Sequence, residues 1–175
     1  MIDLLRLLAP RYRVRAVTDL TPDVLRAWQI DALMLDLDNT LVLWREAAPP
    51  GPVGAWIDDI RRSHIPACLV SNNVNQRVRE AAAALGLPFS LGTYKPSVSK
   101  LRHALELLGT APPRTAMVGD QLFTDILAGN RLGVPTVLTA PLSPREALRT
   151  RMLRHAERLT LAMLARRGIT PQEPV

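Results

Sequence analysis

The residue pattern predicts an α/β fold: one domain with a five-stranded parallel sheet and helices on both faces. Three observations predict it. From residue 32 onward, apolar runs of strand length alternate with stretches in which apolar residues recur every three or four positions, the rhythm of βα units. Gly86, Gly109, Gly133 and Gly168 each follow such a helical stretch, where a C-terminal cap belongs. And 175 residues suffice for one core but fall short of two independent ones.

In chain order, Thr21-Pro22-Asp23 opens the pattern as a capping residue followed by proline in the first turn of a helix. The apolar runs at 32–36, 67–71, 88–91, 115–119 and 136–139 are the strand candidates, taken as first to fifth. Helix candidates lie between them at 52–63, 74–85, 97–108 and 122–131, and a long amphipathic one at 144–167 follows the last strand. The stretch 47–52, Ala-Ala-Pro-Pro-Gly-Pro, is a loop and not a domain boundary, because the pieces on either side are too small to stand alone.

Composition narrows the class. Hydrophobic residues are 47% and charged residues 22% of the chain, which sets it apart from disordered sequences. No run approaches the roughly 18 apolar residues of a membrane span, and the apolar stretch in MIDLLRLLAPRYR is too short for a secretory signal, so a cytoplasmic location is expected. The single cysteine, Cys68, lies in the apolar run IPACLV and reads as a small buried hydrophobe. The net charge of +6 is unevenly spread: residues 31–140 hold ten basic and ten acidic side chains, residues 1–30 five and three, residues 141–175 seven and three. A neutral core (31–140) is thus bracketed by a basic N-terminal flank (1–30) and a basic C-terminal helix (141–175). Such flanks suit an anionic membrane face, a nucleic acid or an acidic partner, or else only water.

The chemistry-bearing residues fall at the ends of the strand candidates. The first strand closes in Asp36-Leu37-Asp38-Asn39-Thr40, two carboxylates that would repel unless a cation lay near them, and hard oxygen ligands suit Mg²⁺. The second closes in Ser71-Asn72-Asn73 before a helix, a cradle for phosphate or a plain N-cap. After the third comes Lys95, one of only two lysines among 22 basic residues, so a compact point charge is wanted there. The fourth closes in Gly119-Asp120, with Asp125 five residues on. Each signal alone is weak. Their order, one per successive strand, is what chance seldom arranges.

That ordered set, D-x-D-x-T, serine, lysine and Gly-Asp-x₄-Asp, resembles the phosphatases of the haloacid dehalogenase (HAD) superfamily over nearly the whole chain. More narrowly, LMLDLDNTLVLW, CLVSNN, YKP, VGDQLFTDILAGNRLG and the tail TRMLRHAERLTLAMLARRG are similar to the YqeG-type family of subfamily IIIA, grouped with phosphatidylglycerophosphate phosphatases. The resemblance implies a Rossmann-like HAD domain with strand order 5-4-1-2-3. It implies Asp36 as the nucleophile that forms an aspartyl-phosphate, and Asp38 as the acid that protonates the leaving oxygen and then the base that activates water. It implies Mg²⁺ held by Asp36, the backbone carbonyl of Asp38, and Asp120, with Ser71, Asn72 and Lys95 on the phosphoryl oxygens. Thr40 and Asp125 are expected behind these contacts, Asp125 orienting Lys95 or a metal-bound water. About 32 residues separate Asp38 from Ser71 and 23 separate Ser71 from Lys95, too few for a large cap domain, so an open site is expected.

His64, His103 and His155 match no position of the set and read as surface or core histidines, while Trp44 is a candidate for the entrance. The expected activity is hydrolysis of a phosphomonoester, with a lipid headgroup phosphate such as phosphatidylglycerophosphate as the leading substrate. Soluble nucleotide or sugar phosphates are the second reading. An RNA- or ribosome-binding module with vestigial activity is the reading from another class. A peripheral seat on the inner membrane face is expected from the amphipathic segment 2–15 and from the last helix, where Leu148, Met152, Ala156, Leu159 and Met163 form one stripe and Arg151, Arg154 and Arg158 a neighbouring arc.

Overall fold

The computed structural model describes residues 5–43, 46, 48–73, 75–143 and 148–174, and of residues 148–151 the backbone alone. Five parallel strands make one sheet: β1 (Tyr12–Val14), β2 (Ala32–Leu35), β3 (Ala67–Leu69), β4 (Thr115–Gly119) and β5 (Thr136–Thr139), in the order β1-β5-β4-β2-β3. The helices are α1 (Pro22–Ala27), α2 (Gly51–Arg62), α3 (Gln76–Leu85), α4 (Ser99–Leu108), α5 (Leu127–Leu132) and α6 (Leu148–Arg166). The expected order 5-4-1-2 holds. The 88–91 run pairs only through the single parallel bridge Leu69↔Phe89, and the fifth strand is instead β1, from the segment read as a flank. Its burial alternates as an edge strand's should, with Tyr12 and Val14 inward and Arg13 outward, and Tyr12 stacks on Trp28 at 3.9 Å between ring centroids.

Every residue of β2, β3, β4 and β5 is buried, which is why these strands read as continuous apolar runs instead of alternating ones. Period two still sorts their side chains. Leu33, Leu35, Leu69, Ala116, Val118 and Val137 face α2 and α3, whereas Met34, Cys68, Val70 and Met117 face Leu101 and Ala104 of α4 and Ala128 of α5. Local signals fix the helix ends as read: Thr21 Oγ1 accepts from the Val24 N–H at 3.3 Å, Asn75 Oδ1 from the Val78 N–H at 3.2 Å, and Gly86 ends α3 in the left-handed conformation at φ 61°.

Parallel pairing sets the site. Leu35 lies opposite Leu69 and Val118 in register, so the residues just beyond these three strands emerge side by side at one sheet edge. Among the described residues no inserted domain covers that edge.

Candidate active site

The turn after β2 carries Asp36 outward. Its N–H still bonds the Val118 carbonyl at 2.9 Å, continuing the ladder, and the chain then coils so that the N–H groups of Leu41 and Val42 both bond the Leu37 carbonyl. The coil needs a left-handed residue, and Asn39 supplies it at φ 61°, a conformation asparagine tolerates better than most.

Lys95 reaches this turn from the loop before α4. Its Nζ donates to Asp36 Oδ1 and to Asp125 Oδ1, each at 2.6 Å, with all three groups buried. Asn72, expected on the phosphate, is spent on holding Lys95: its Oδ1 accepts the Lys95 N–H at 2.6 Å and its Nδ2 donates to the Lys95 carbonyl at 3.3 Å. Ser71 is buried beside them, its Oγ accepting the Asn73 N–H at 3.1 Å. The other lysine, Lys100, is fully buried in α4 and donates to the Ser71 carbonyl, so both lysines of the chain serve this edge. Lysine scarcity pointed to Lys95, and the same signal applied to Lys100 would have found it.

Close packing accounts for Gly119. It lies within β4, and a Cβ built there would fall on the Asp125 carboxylate, within 2.6 Å of the Asp125 Cβ. A π-helical turn, Leu122–Ile126, carries Asp125 back over Gly119, where its Oδ2 accepts the Gln121 N–H at 3.1 Å. The carboxylates of Asp36, Asp120 and Asp125 thereby offer oxygens all within 4.8 Å of one another. Asp125, expected behind the metal contacts and orienting Lys95, bonds Lys95 and is also the third carboxylate of this cluster.

The Asp38 carboxylate is not a member of that cluster and is held by other partners. Arg77 Nη2 donates to its Oδ1 at 2.6 Å and Asn73 Nδ2 to its Oδ2 at 3.0 Å, while Arg77 Nη1 holds the Glu46 carbonyl at 2.8 Å. Thr40 is buried at the base of the turn, and its Oγ1 takes no hydrogen bond. Nothing in the sequence singled out Arg77, one arginine among twenty.

Asp120 meets a cation from α6. Arg154 donates to Asp120 Oδ2 and to the Asp120 carbonyl, and its Nη1 also bonds Glu157 Oε2 at 3.0 Å. Glu157 Oε1 in turn accepts the Leu122 N–H at 2.7 Å. Arg154 therefore faces the site and not a membrane, and the arc expected of α6 is corrected: Arg158 is exposed, and the Arg151 side chain lies outside the described residues. The apolar stripe faces outward at its described positions. Met152 is 72%, Leu159 68% and Met163 50% exposed, because the face of α6 that carries Arg154, Glu157, Leu161 and Leu164 is the one that docks. Trp44 lies outside the described residues. Of the histidines, His64 is exposed, His103 Nδ1 accepts the Leu91 N–H at 2.9 Å, and His155 borders the groove under α6.

Charge in this cluster is held away from its ordinary state. Burial lifts the Asp36 carboxyl to about 7; the Lys95 ammonium opposes the shift and the Asp125 carboxylate adds to it. Burial also raises Asp120 well above the carboxylate range, Asp36 adding repulsion and Arg154 offsetting part of it. Burial works against the Lys95 ammonium, but Asp125 and Asp36 together outweigh it and its pKa is raised. Lys100 moves the other way, lowered by burial and by repulsion from Lys95. Three carboxylates against two cations leave the cluster short of positive charge. Asp120 Oδ1, buried and accepting no hydrogen bond, marks where a hard divalent ion such as Mg²⁺ fits. Cys68 is fully buried with its thiol pushed up to about 12 by burial, and it takes no part.

This chain is similar to known proteins. The HAD-hydrolase-like family model matches residues 93–147. "Probable phosphatase YqeG" of Bacillus subtilis is 34% identical over 156 residues, covering 89% of this chain and 90% of that one. Phosphatidylglycerophosphate phosphatase 1, chloroplastic/mitochondrial, of Arabidopsis thaliana is 26% identical over 174 residues, 93% of this chain but 49% of that protein. Among solved structures, the cobalt-bound deoxy-D-mannose-octulosonate 8-phosphate phosphatase of Haemophilus influenzae shares the fold, with a TM-score of 0.53 at 16% identity over 79% of this chain and 90% of that one. With the ordered carboxylates, serine and lysine gathered at one sheet edge, and a relative this similar along nine-tenths of its length, the chain belongs to the HAD superfamily and is a phosphatase of its YqeG type.

Proposed function

We propose that the chain is a Mg²⁺-dependent phosphomonoester hydrolase that works through an aspartyl-phosphate on Asp36 and acts on the terminal phosphate of a lipid headgroup. The observation that carries this reading is the buried Asp36–Lys95–Asp125 bridge beside the open oxygen of Asp120. A carboxylate oxygen of Asp36 donates its electron pair to phosphorus, and the bond from phosphorus to the leaving oxygen breaks. Asp38 gives that oxygen a proton, and to do so it must let go of Arg77. It then takes a proton from water as the water oxygen attacks phosphorus, releasing inorganic phosphate and restoring Asp36. Ser71 and Lys95 bind the phosphoryl oxygens, with Lys95 kept charged by its two carboxylates. Asp36, Asp120 and the Asp38 carbonyl, with Asp125 close behind, would hold Mg²⁺, which would supply positive charge against the phosphoryl group.

The lipid substrate draws support from the name of the Arabidopsis relative and from α6. No helix among the described residues is long and apolar enough to cross a membrane. Yet Met152, Leu159 and Met163 lie exposed beside Arg158, a pattern suited to resting on an anionic bilayer. One experiment tests both halves. With Mg²⁺, wild type should release phosphate from phosphatidylglycerophosphate in anionic vesicles faster than from a sugar phosphate or a nucleoside monophosphate, and Asp36→Asn should cut every rate at least about a thousandfold with the fold intact. A folded Asp36→Asn variant that turns over normally would sink the mechanism; faster release from the soluble esters would sink the lipid substrate.

A further inference from the structure

The acidic cluster opens on one side into a groove of about 430 Å³ between the exit of β5 and the inner face of α6, a volume suited to a small organic ligand. Asp120 and Arg154 form the end next to the cluster. Leu122 and Leu138, with Leu161 packed against them, give the groove an apolar floor. Arg13 of β1 and Arg158 of α6 also line it.

The charges in the groove do not cancel. Its two acids are answered: Asp120 by Arg154, and Glu157 by Arg154 and by the Leu122 N–H. Arg158 uses one N–H on the Arg154 carbonyl at 3.4 Å and has no carboxylate partner among the described residues. Among the described residues Arg13 bonds only through its backbone, whose N–H meets the Gln172 carbonyl at 2.9 Å. Two guanidinium groups without a carboxylate partner among the described residues thus line, with leucines, a groove that ends at Asp120, one of the three clustered carboxylates. Guanidinium favours the paired oxygens of a phosphate, and leucine favours hydrocarbon.

We infer that this groove seats the leaving alcohol, and that Arg13 and Arg158 are specificity-determining residues that select alcohols carrying a second phosphate, as a phosphodiester with an apolar substituent on the leucine floor. The inference rests on the phosphomonoesterase reading above and deepens it by giving the leaving group a place and a chemistry. It predicts a ranking of substrates in free solution, with no bilayer present. Dihexanoyl-phosphatidylglycerophosphate below its micellar concentration should have the highest kcat/KM, its deacylated headgroup the next, and glycerol 3-phosphate, which lacks the second phosphate, the lowest.

The double variant Arg13→Ala/Arg158→Ala removes two exposed side chains, so folding is not at risk. It should lower kcat/KM for both diester-bearing esters, relative to glycerol 3-phosphate, by about tenfold or more, mainly through KM. Leu161→Ser should penalise the dihexanoyl ester over the deacylated one. The groove reading is overturned if wild type prefers glycerol 3-phosphate or if the double variant leaves the ratio within twofold. Calorimetry with dihexanoyl-phosphatidylglycerol, the alcohol alone, separates this failure from failure of the phosphomonoesterase reading. Should wild type release phosphate from no ester, that reading falls, while a Kd for the alcohol weakened about tenfold in the double variant still upholds the groove. An equal Kd in the two proteins overturns it.

Discussion

Two cations face the buried carboxylates, and they are held in different ways. Lys95 comes from within the fold: its backbone is clamped by Asn72, its ammonium lies between Asp36 and Asp125, and its side chain is 1% exposed. Arg154 comes from α6, a helix outside the sheet, with its side chain 17% exposed and its companions on the docked face reduced to Glu157, Leu161 and Leu164. Lys95 is thus enclosed between its two carboxylates, whereas Arg154 meets Asp120 from a more exposed position, and competition of another cation with Arg154 for Asp120 is the expectation tested below.

The comparison breaks most directly at Lys95. Lys95→Met leaves two buried carboxylates without their shared cation, and a loss of about 3–5 kcal/mol is expected, read as a reduced midpoint in urea. A loss below about 1 kcal/mol would mean that the carboxylates find other compensation.

Asp36 gives the next effect, through pH. With its carboxyl lifted from 3.8 to about 7, the native state keeps a proton that the unfolded chain has already released between those values. Stability from this group is therefore fully present below pH 3.8 and is lost as pH rises through 7. Asp36→Asn does not titrate. In EDTA, the Tm of the variant minus that of wild type should grow by several degrees from pH 4 to pH 8, and a flat difference would refute the burial argument. Asp120 shifts in the same direction partly through repulsion from Asp36, so its smaller shift in the variant adds to the same trend, and the rise at Lys95 acts only above its ordinary 10.5.

Gly119→Ala probes the packing under the cluster. Its new Cβ meets the Asp125 carboxylate against a packed strand, so about 1–3 kcal/mol should be lost, together with the Asp125–Lys95 contact. An alanine variant as stable as wild type would show that the π-turn can shift. Arg154→Gln should give the smallest change, about 1 kcal/mol in EDTA, with millimolar Mg²⁺ recovering it and raising Tm more than in wild type. Equal Mg²⁺ shifts in the two proteins would mean that Arg154 does not compete for Asp120.

Much of this was legible in the sequence, and the exceptions have physical reasons. The site residues at the strand ends could be read because βα alternation fixes which edge they share, whatever the details of packing. The edge strand β1 could not: three residues with one outward arginine carry too little periodicity to distinguish a strand from a flank. Which face of α6 docks could not be read from its own residues, because the docked polar face is drawn in by Asp120 and the Leu122 N–H, groups supplied by distant parts of the chain. Asp125 enters the cluster through a π-helical turn, whose extra residue rotates the side chain away from where ordinary helical spacing would put it. Arg77 and Lys100 bond their partners across 39 and 29 residues, separations at which no local pattern speaks.

The burial of Lys95 and Lys100 has a consequence for the chain as a chemical reagent. They are its only lysines, and both ε-amino groups are enclosed in the native state. Amine-directed acylation of either therefore has to wait for the fold to open at the site. Followed by mass spectrometry on the peptides that carry them, the rate of labelling becomes a clock for local unfolding around Ser71 and Asp36. It also means that lysine-directed modification in a cell would find no handle on the described surface of the folded protein and would mark only chains that had lost this edge of the sheet.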